Sequence, residues 1–305
     1  MTAQRDISGR AWLGLALLAI IWGASFLSIR IALDEVTVLW SVAWRVSLGA
    51  ATLGIYILAR RLRLPREPRI WGAFLVMGLL NNVVPFTLMA WGQLHIESGL
   101  TAIFNATTAV FGVIVAAIVF ADERLTARRA FGVALGFAGV VTAIGWQALT
   151  ELDLRSLAQI AVVAGTLSYA LAGAYARIAL SGLRPEVAAF GMLVASSLFM
   201  LPIAGLVEGA PILALSPNTC LAIAYYGVVA TAGAYLLYYW VLAQTGAGNL
   251  LLVTLMIAPI AIVLGALVLD EALAPRAYAG FAFLALGLAV IDGRILRLSH
   301  GTARG

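Results

Sequence analysis

Apolar residues fall along this chain in ten continuous runs separated by short polar breaks. The runs cover Trp12–Leu33, Val38–Ala59, Ile70–Gly92, Gly99–Phe120, Ala127–Trp146, Leu157–Ile178, Val187–Leu206, Thr219–Ala243, Gly248–Leu269 and Ala277–Leu296. About 20 apolar residues are enough for one helix to cross the hydrocarbon core of a bilayer. Strands of a membrane barrel would alternate apolar and polar positions, and these runs do not. The pattern predicts an all-α polytopic membrane protein with ten transmembrane helices. No break is long enough to hold a soluble domain.

The chain also states part of its plan twice. Residues 99–143 hold an apolar run, a charged corner (Asp122, Glu123, Arg124) and a second apolar run. Residues 248–291 repeat this around Asp270 and Glu271. Aligned at the corners, identities fall at Asp122/Asp270, Glu123/Glu271, Leu125/Leu273, Arg128/Arg276, Gly132/Gly280, Ala134/Ala282 and Gly139/Gly287. A repeat half a chain away means two copies of one unit. The chain therefore divides into a first repeat (1–146, helices one to five), a loop (147–156), a second repeat (157–296, helices six to ten) and a cytoplasmic tail (297–305). Five is an odd number of crossings, so the second copy runs through the membrane in the opposite sense. Inverted repeats of this kind build secondary transporters, with substrate near the midplane between the copies.

Composition narrows the class further. Of 305 residues, 63% are hydrophobic and 11% charged, and the mean hydropathy is +1.02. A soluble domain carries about 25% charged residues, so the lipid bilayer is this chain's main solvent. The net charge of +5 comes from 19 arginines and no lysine. Fifteen of them lie on the side of the termini and three (Arg30, Arg155, Arg276) on the other; Arg45 is inside a span. That bias predicts cytoplasmic termini and a multi-pass inner-membrane location, and it implies no nucleic-acid partner. The first run, behind Arg5 and Arg10, outlasts a signal peptide and lacks a cleavage site, so it reads as a retained helix. Cys220 is the single cysteine, and His95 and His300 are far apart. Neither a disulfide framework nor a metal or cofactor site is implied.

Polar residues inside spans mark candidate chemistry, because bilayer-depth polarity faces the bundle interior. The third span holds Asn81, Asn82 and Pro85. At the offset that lays Trp91 on Trp240, its twin holds Ala230, Thr231 and Ala234. The fourth span holds Thr101, Asn105 and Thr108 at helical spacing, closed by Gly112. Trp22 and Ser25 come from the first span, Ser168 and Tyr169 from the sixth. These residues line a cavity or tie helices together; an amide, donor and acceptor at once, suits a zwitterion. Phe86, Trp91, Tyr235 and Tyr238 form an apolar wall or pack, while Tyr225, Tyr226 and Trp240 read as interface-belt residues. Arg45 is either a structural anchor, with Asp34 or Glu35 as partner, or a carboxylate-binding residue. The corners read as helix junctions, with Thr126 as N-cap, Pro275 at a first helical position, and pairs Glu123–Arg128 and Glu271–Arg276; the alternative is a charged gate. Pro85 and Pro259 interrupt the third and ninth helices and weaken them at Val84 and Ala258, and Gly112 loosens the fourth. These are candidate hinges or static kinks.

The motifs now in hand resemble a known family. Trp22-Gly-Ala-Ser-Phe26, Ala121-Asp-Glu-Arg-Leu125 and the glycine-rich fifth and tenth spans look like the drug/metabolite transporter superfamily, in its EamA-type ten-helix branch. Tyr169-Ala170 departs from the pattern, standing where Trp22-Gly23 stands in the first half. Within the branch the chain is most similar to YddG-type exporters. That resemblance implies export of aromatic and other neutral amino acids by alternating access around a central cavity. The absences agree with it. No Asp or Glu lies mid-span, as a cation-for-proton exchanger needs, and one buried arginine is too few for phosphate-bearing cargo. The remaining partner is a small neutral or zwitterionic solute, for which one chain suffices. Alternatives are a broad exporter of neutral metabolites and a lipid-handling scaffold. An intramembrane enzyme lacks its in-membrane nucleophile, base or ligands.

Overall fold

The computed structural model describes residues 8–121, 123, 125–145, 153–245 and 252–292. Asp122, Arg124, residues 147–152 of the inter-repeat loop, Gly248 and the tail 297–305 lie outside the described residues. Among the described residues ten apolar helices follow in order: α1 (Gly9–Ala32), α2 (Val38–Ala59), α3 (Pro68–Gly92), α4 (Ser98–Val119), α5 (Ala127–Ile144), α6 (Leu154–Ala179), α7 (Pro185–Val207), α8 (Pro217–Gln244), α9 (Leu252–Leu269) and α10 (Pro275–Asp292). Eight are long enough to span a membrane, and α9 and α10 are the shorter apolar pair. Each overlaps the run predicted for it, and no strand occurs among the described residues.

Local chemistry sets where the helices begin. Ser8, Thr126, Asp153 and Ser216 accept N–H bonds from the first turns of α1, α5, α6 and α8, satisfying donors that a helix start leaves unpaired. α3, α7, α8 and α10 open on proline, whose missing N–H is no loss there. The outer surface is apolar: Leu58, Ile118, Leu206 and Leu267 are each more than 75% exposed. Such a surface is stable against acyl chains and not against water.

The packing has the symmetry that the repeat implies. Helix α1 packs on α9, and its counterpart α6 packs on α4; α3 packs on α6, and α8 on α1; α2 packs on α7, and α5 on α10. Exchanging each helix with the one five places away leaves this set unchanged.

Helices α5 and α10 meet backbone to backbone along a glycine seam. A Cβ built on Gly132 would stand 2.7 Å from the Gly287 carbonyl oxygen, and one on Gly139 would stand 2.6 Å from that of Gly280. In the repeat, Gly132 corresponds to Gly280 and Gly139 to Gly287. The contact 132/287 is therefore the image of the contact 280/139, and an approximate twofold relation between the halves exchanges them. Only glycine lets the backbones meet this closely. Gly139→Val should destabilise the folded protein by at least about 1–3 kcal/mol, seen as a lower melting temperature in detergent. Gly112→Ala, where no atom lies within 4 Å of the new Cβ, should leave melting unchanged or raised. Equal melting of the two variants would remove the seam from the account.

Candidate functional site

Two widened turns sit at matching depth. Helix α3 passes through a π-helical segment at Leu79–Val83, and α8 through one at Tyr225–Gly233. The sequence offset lays the first inside the second. Pro85 accounts for the first, since it offers no N–H to the carbonyl four residues back. In α8 Ala234 replaces proline, and the Thr231 hydroxyl donates to the Tyr226 carbonyl at 2.7 Å. Side chains take up carbonyls in both segments. Ser168 Oγ of α6 donates to Leu80 O at 2.7 Å, and Trp22 Nε1 of α1 donates to Ala230 O at 3.1 Å. Counterpart helices thus hold counterpart bulges, each from the opposite half. Bulges of this type recur at functional sites.

A polar network lies between the bulges. Asn81 Nδ2 donates to the Tyr235 hydroxyl at 3.0 Å, and that hydroxyl donates to Asn82 Oδ1 at 3.2 Å. Asn82 Nδ2 donates to Ser196 Oγ at 2.9 Å, and Ser196 closes on the Met192 carbonyl at 2.7 Å. Arg45 Nε donates to Thr231 Oγ1 at 3.1 Å, and its guanidinium carbon lies 3.9 Å over the Phe86 ring. Tyr169 meets Phe86 edge to face with centroids 6.4 Å apart. Trp22 and Tyr238 continue the wall at 5.8 Å. Amides, hydroxyls and one cation thus share an aromatic enclosure drawn from α1, α2, α3, α6, α7 and α8. Arg45, Asn81, Tyr169, Tyr235 and Tyr238 keep partial surface exposure inside the bundle, as cavity-facing groups do.

The structure brings together Trp22, Asn81, Asn82, Phe86, Ser168, Tyr169, Thr231, Tyr235 and Tyr238. Ser25 instead donates to Trp22 O of its own helix at 2.7 Å, and the buried Thr101 to Glu97 O at 3.2 Å. Trp91 packs on His95 at 5.0 Å, near the end of α3. Asn105 stands where α4 breaks at Ala106, and its side chain hydrogen-bonds to no other described residue. Thr108 Oγ1 is buried without a partner among the described residues. Gly112 lies in regular helix beyond that break, and Pro259 lies inside α9. Arg45, Met192 and Ser196 complete the site. A lone mid-span charge signals Arg45 in the sequence; Ser196, one of two adjacent serines in an apolar helix, carries no signal.

Several sequence readings need correction. Tyr226 is fully buried, with its hydroxyl 3.2 Å from Ser41 Oγ, so it is no belt residue; Trp240 is 43% exposed. Neither acidic neighbour serves Arg45: Asp34 pairs with Arg30 at 2.7 Å, and Glu35 accepts from Ser216 N at 2.7 Å. Glu123 pairs with Arg129 at 3.1 Å and Arg177 at 3.6 Å, not with Arg128. Glu271 leaves Arg276 and reaches across the halves, because Asp270 adopts a left-handed conformation (φ 52°) that turns the chain back. Its carboxylate accepts from Ser98 N at 2.9 Å, Ser98 Oγ at 2.7 Å and Gly99 N at 3.3 Å.

That contact belongs to a set on the face opposite the termini. Glu208 accepts from Thr37 Oγ1, Leu39 N and Trp40 N at the start of α2. Arg155 pairs with Glu97 at 2.7 Å. Glu35, Glu97, Glu208 and Glu271 each tie one half to the other, three of them at a helix N-terminus, where negative charge is stabilised. Hydrogen bonds from the Ser216 hydroxyl and N–H hold the Glu35 carboxyl below the usual carboxylate range. Ser156 does the same for Asp153. A cleft of about 890 Å³ lies elsewhere, between α1, α8 and α9, with Ile31, Leu221, Val228 and Val268 in its wall. Those side chains are apolar, and lipid tails suit such a space.

Comparison with known proteins fits this geometry. A model of the EamA-like transporter family matches residues 10–145 and again 156–292. The chain belongs to the EamA-like transporter family. The two matches coincide with the two five-helix halves. A "probable terminal-alkyne amino-acid exporter" of Streptantibioticus cattleyicolor is 27% identical over 95% of both chains. An "uncharacterized transporter" of Archaeoglobus fulgidus is 24% identical over 92% of this chain and 98% of its own. One protein of known crystal structure superposes with a TM-score of 0.67 at 17% identity, over 94% of this chain and 98% of that one; this likeness concerns the fold alone. As an EamA-like protein the chain is a multi-pass membrane transporter of small solutes and not an enzyme.

Proposed function

We propose that this EamA-like transporter exports neutral amino acids, aromatic ones foremost, by alternating access about the site between its two five-helix halves. The observation that carries this reading is the Asn81–Tyr235–Asn82 network set among the rings of Trp22, Phe86, Tyr169 and Tyr238. Amides and hydroxyls suit the charged end of a zwitterion, and the rings suit an apolar side chain. The amino-acid exporter among its relatives supports the same class of cargo. Alternating access draws support from the inter-half ties on the face opposite the termini, which hold that end shut. Pro85, the break at Ala106 and Pro259 are the bending points that would let it open.

In this reading the termini and the loop 60–69 are cytoplasmic. A cysteine placed at Leu64 in a Cys220→Ser background should resist an impermeant maleimide in intact cells; ready labelling would reverse the orientation. Purified protein in liposomes should exchange labelled phenylalanine, with leucine competing and sugars not. Competition by sugars would point to a broad metabolite exporter. Asn105→Leu should cut that flux while leaving the melting transition in place, because the amide supports no contact in the fold. Loss of melting with flux intact would make Asn105 a packing residue.

A further inference from the structure

Among the described residues the cation in the site has no counter-ion. Glu35 and Asp34 are engaged at the end of α1, and Glu186 lies 3.7 Å from Arg184. Among the described residues no carboxylate comes within 4 Å of Arg45. Its neighbours are neutral: Thr231, Phe86, and the hydroxyls of Tyr169, Tyr226 and Tyr235 within electrostatic reach. A guanidinium has five N–H donors in a flat fork. Only Nε is used, on Thr231. The two terminal nitrogens hydrogen-bond to no described residue. An arginine serving as a structural anchor would spend those donors on backbone carbonyls. Here the Phe86 face holds the plane flat and Thr231 fixes one edge, which leaves the bidentate edge unspent.

An acceptor completes the arrangement. Asn81 Nδ2 donates to the Tyr235 hydroxyl and lies 3.4 Å from Asn82 Oδ1 and 3.7 Å from Met192 Sδ, while its Oδ1 accepts none from the described residues. Tyr235 is common to both parts, bonded to Asn81 and near the guanidinium. The site thus presents a cationic fork and a carbonyl acceptor around one tyrosine.

On the reading of the chain as an amino-acid transporter, we propose that Arg45 is the specificity-determining residue that takes the substrate carboxylate in its guanidinium fork. Asn81 Oδ1 receives the ammonium, and the aromatic wall takes the side chain. A two-point carboxylate contact is what arginine's fork matches and what lysine reproduces only as a point charge. The substrate class is then a monocarboxylate with an apolar side chain. Neutral sugars, amines and carboxamides are excluded for want of the anion.

The test uses the full chain in liposomes, counterflow of labelled phenylalanine, and three competitors: phenylalanine, 3-phenylpropionate and phenylalaninamide. Wild type should be inhibited by the two carboxylates and not by the amide. Arg45→Gln should lose roughly 10- to 100-fold in apparent phenylalanine affinity and lose the discrimination against the amide, and Arg45→Lys should keep part of both. Melting in detergent checks that the variants are folded; if Arg45→Gln does not fold, the competitor ranking on wild type decides. Carboxylate-induced stabilisation of wild type serves as a flux-independent readout. Wild type that carries or is stabilised by phenylpropionate but not phenylalanine leaves Arg45 in its role and rejects the amino-acid reading. Phenylalaninamide competing as well as phenylalanine, unchanged affinity in a folded Arg45→Gln, or no response of wild type to either carboxylate overturns the proposal.

Discussion

The glycine seam between α5 and α10 is the contact on which the rest of the architecture depends. Its two closest approaches, Gly132 to Gly287 and Gly139 to Gly280, exchange with each other when the halves exchange. A self-complementary contact of this kind fixes the relation of two antiparallel copies without help from loops. Once the axis is set, α3 and α8 face each other at the same depth, and so do their widened turns. The remaining task is chemical: carbonyls in those turns must be satisfied where water is scarce. Trp22 and Ser168 do this from opposite halves. The Trp-Gly-Ala-Ser-Phe motif of α1 therefore has a structural duty beside any contact with solute.

Against this symmetric frame the charges are arranged asymmetrically. On insertion scales an arginine at the centre of a spanning helix costs roughly 2.5–3.5 kcal/mol. Arg45 lies about 10 Å along α2 from its start and offsets part of that cost through Thr231 and the Phe86 face. The acids that tie the halves together lie at the end opposite the termini, where Glu208 and Glu271 satisfy helix starts in the other half. These ties are local hydrogen bonds that can break without unfolding either half. On the proposed alternating-access reading, the glycine seam is the pivot and these ties are the rim that opens.

Much of the fold was legible in the sequence. Continuous apolar runs gave all ten helices, and the odd count per copy gave the inversion. The glycine identities 132/280 and 139/287 were visible as repeats, although their pairing needed coordinates. Asn81, Asn82, Thr231 and Tyr235 stood out because polarity inside lipid must be housed within the bundle. What sequence could not give was partnership across the halves. Glu271 looked like a local pair for Arg276, since spacing sees only neighbours along the chain. Tyr226 looked like a belt residue because depth along a helix says nothing of which face is buried. The bulge in α3 was announced by Pro85, whereas that in α8 has no proline and rests on the Thr231 hydroxyl.

Distances between spin labels on the two halves test the central claim most directly. One pair, near Leu125 and Gln244, reports the face of the termini; a second, near His95 and Leu273, reports the opposite face. In liposomes, with and without phenylalanine, the account predicts reciprocal shifts: where the second distance lengthens, the first shortens. One fixed distance for each pair under all conditions would contradict rocking about a central site.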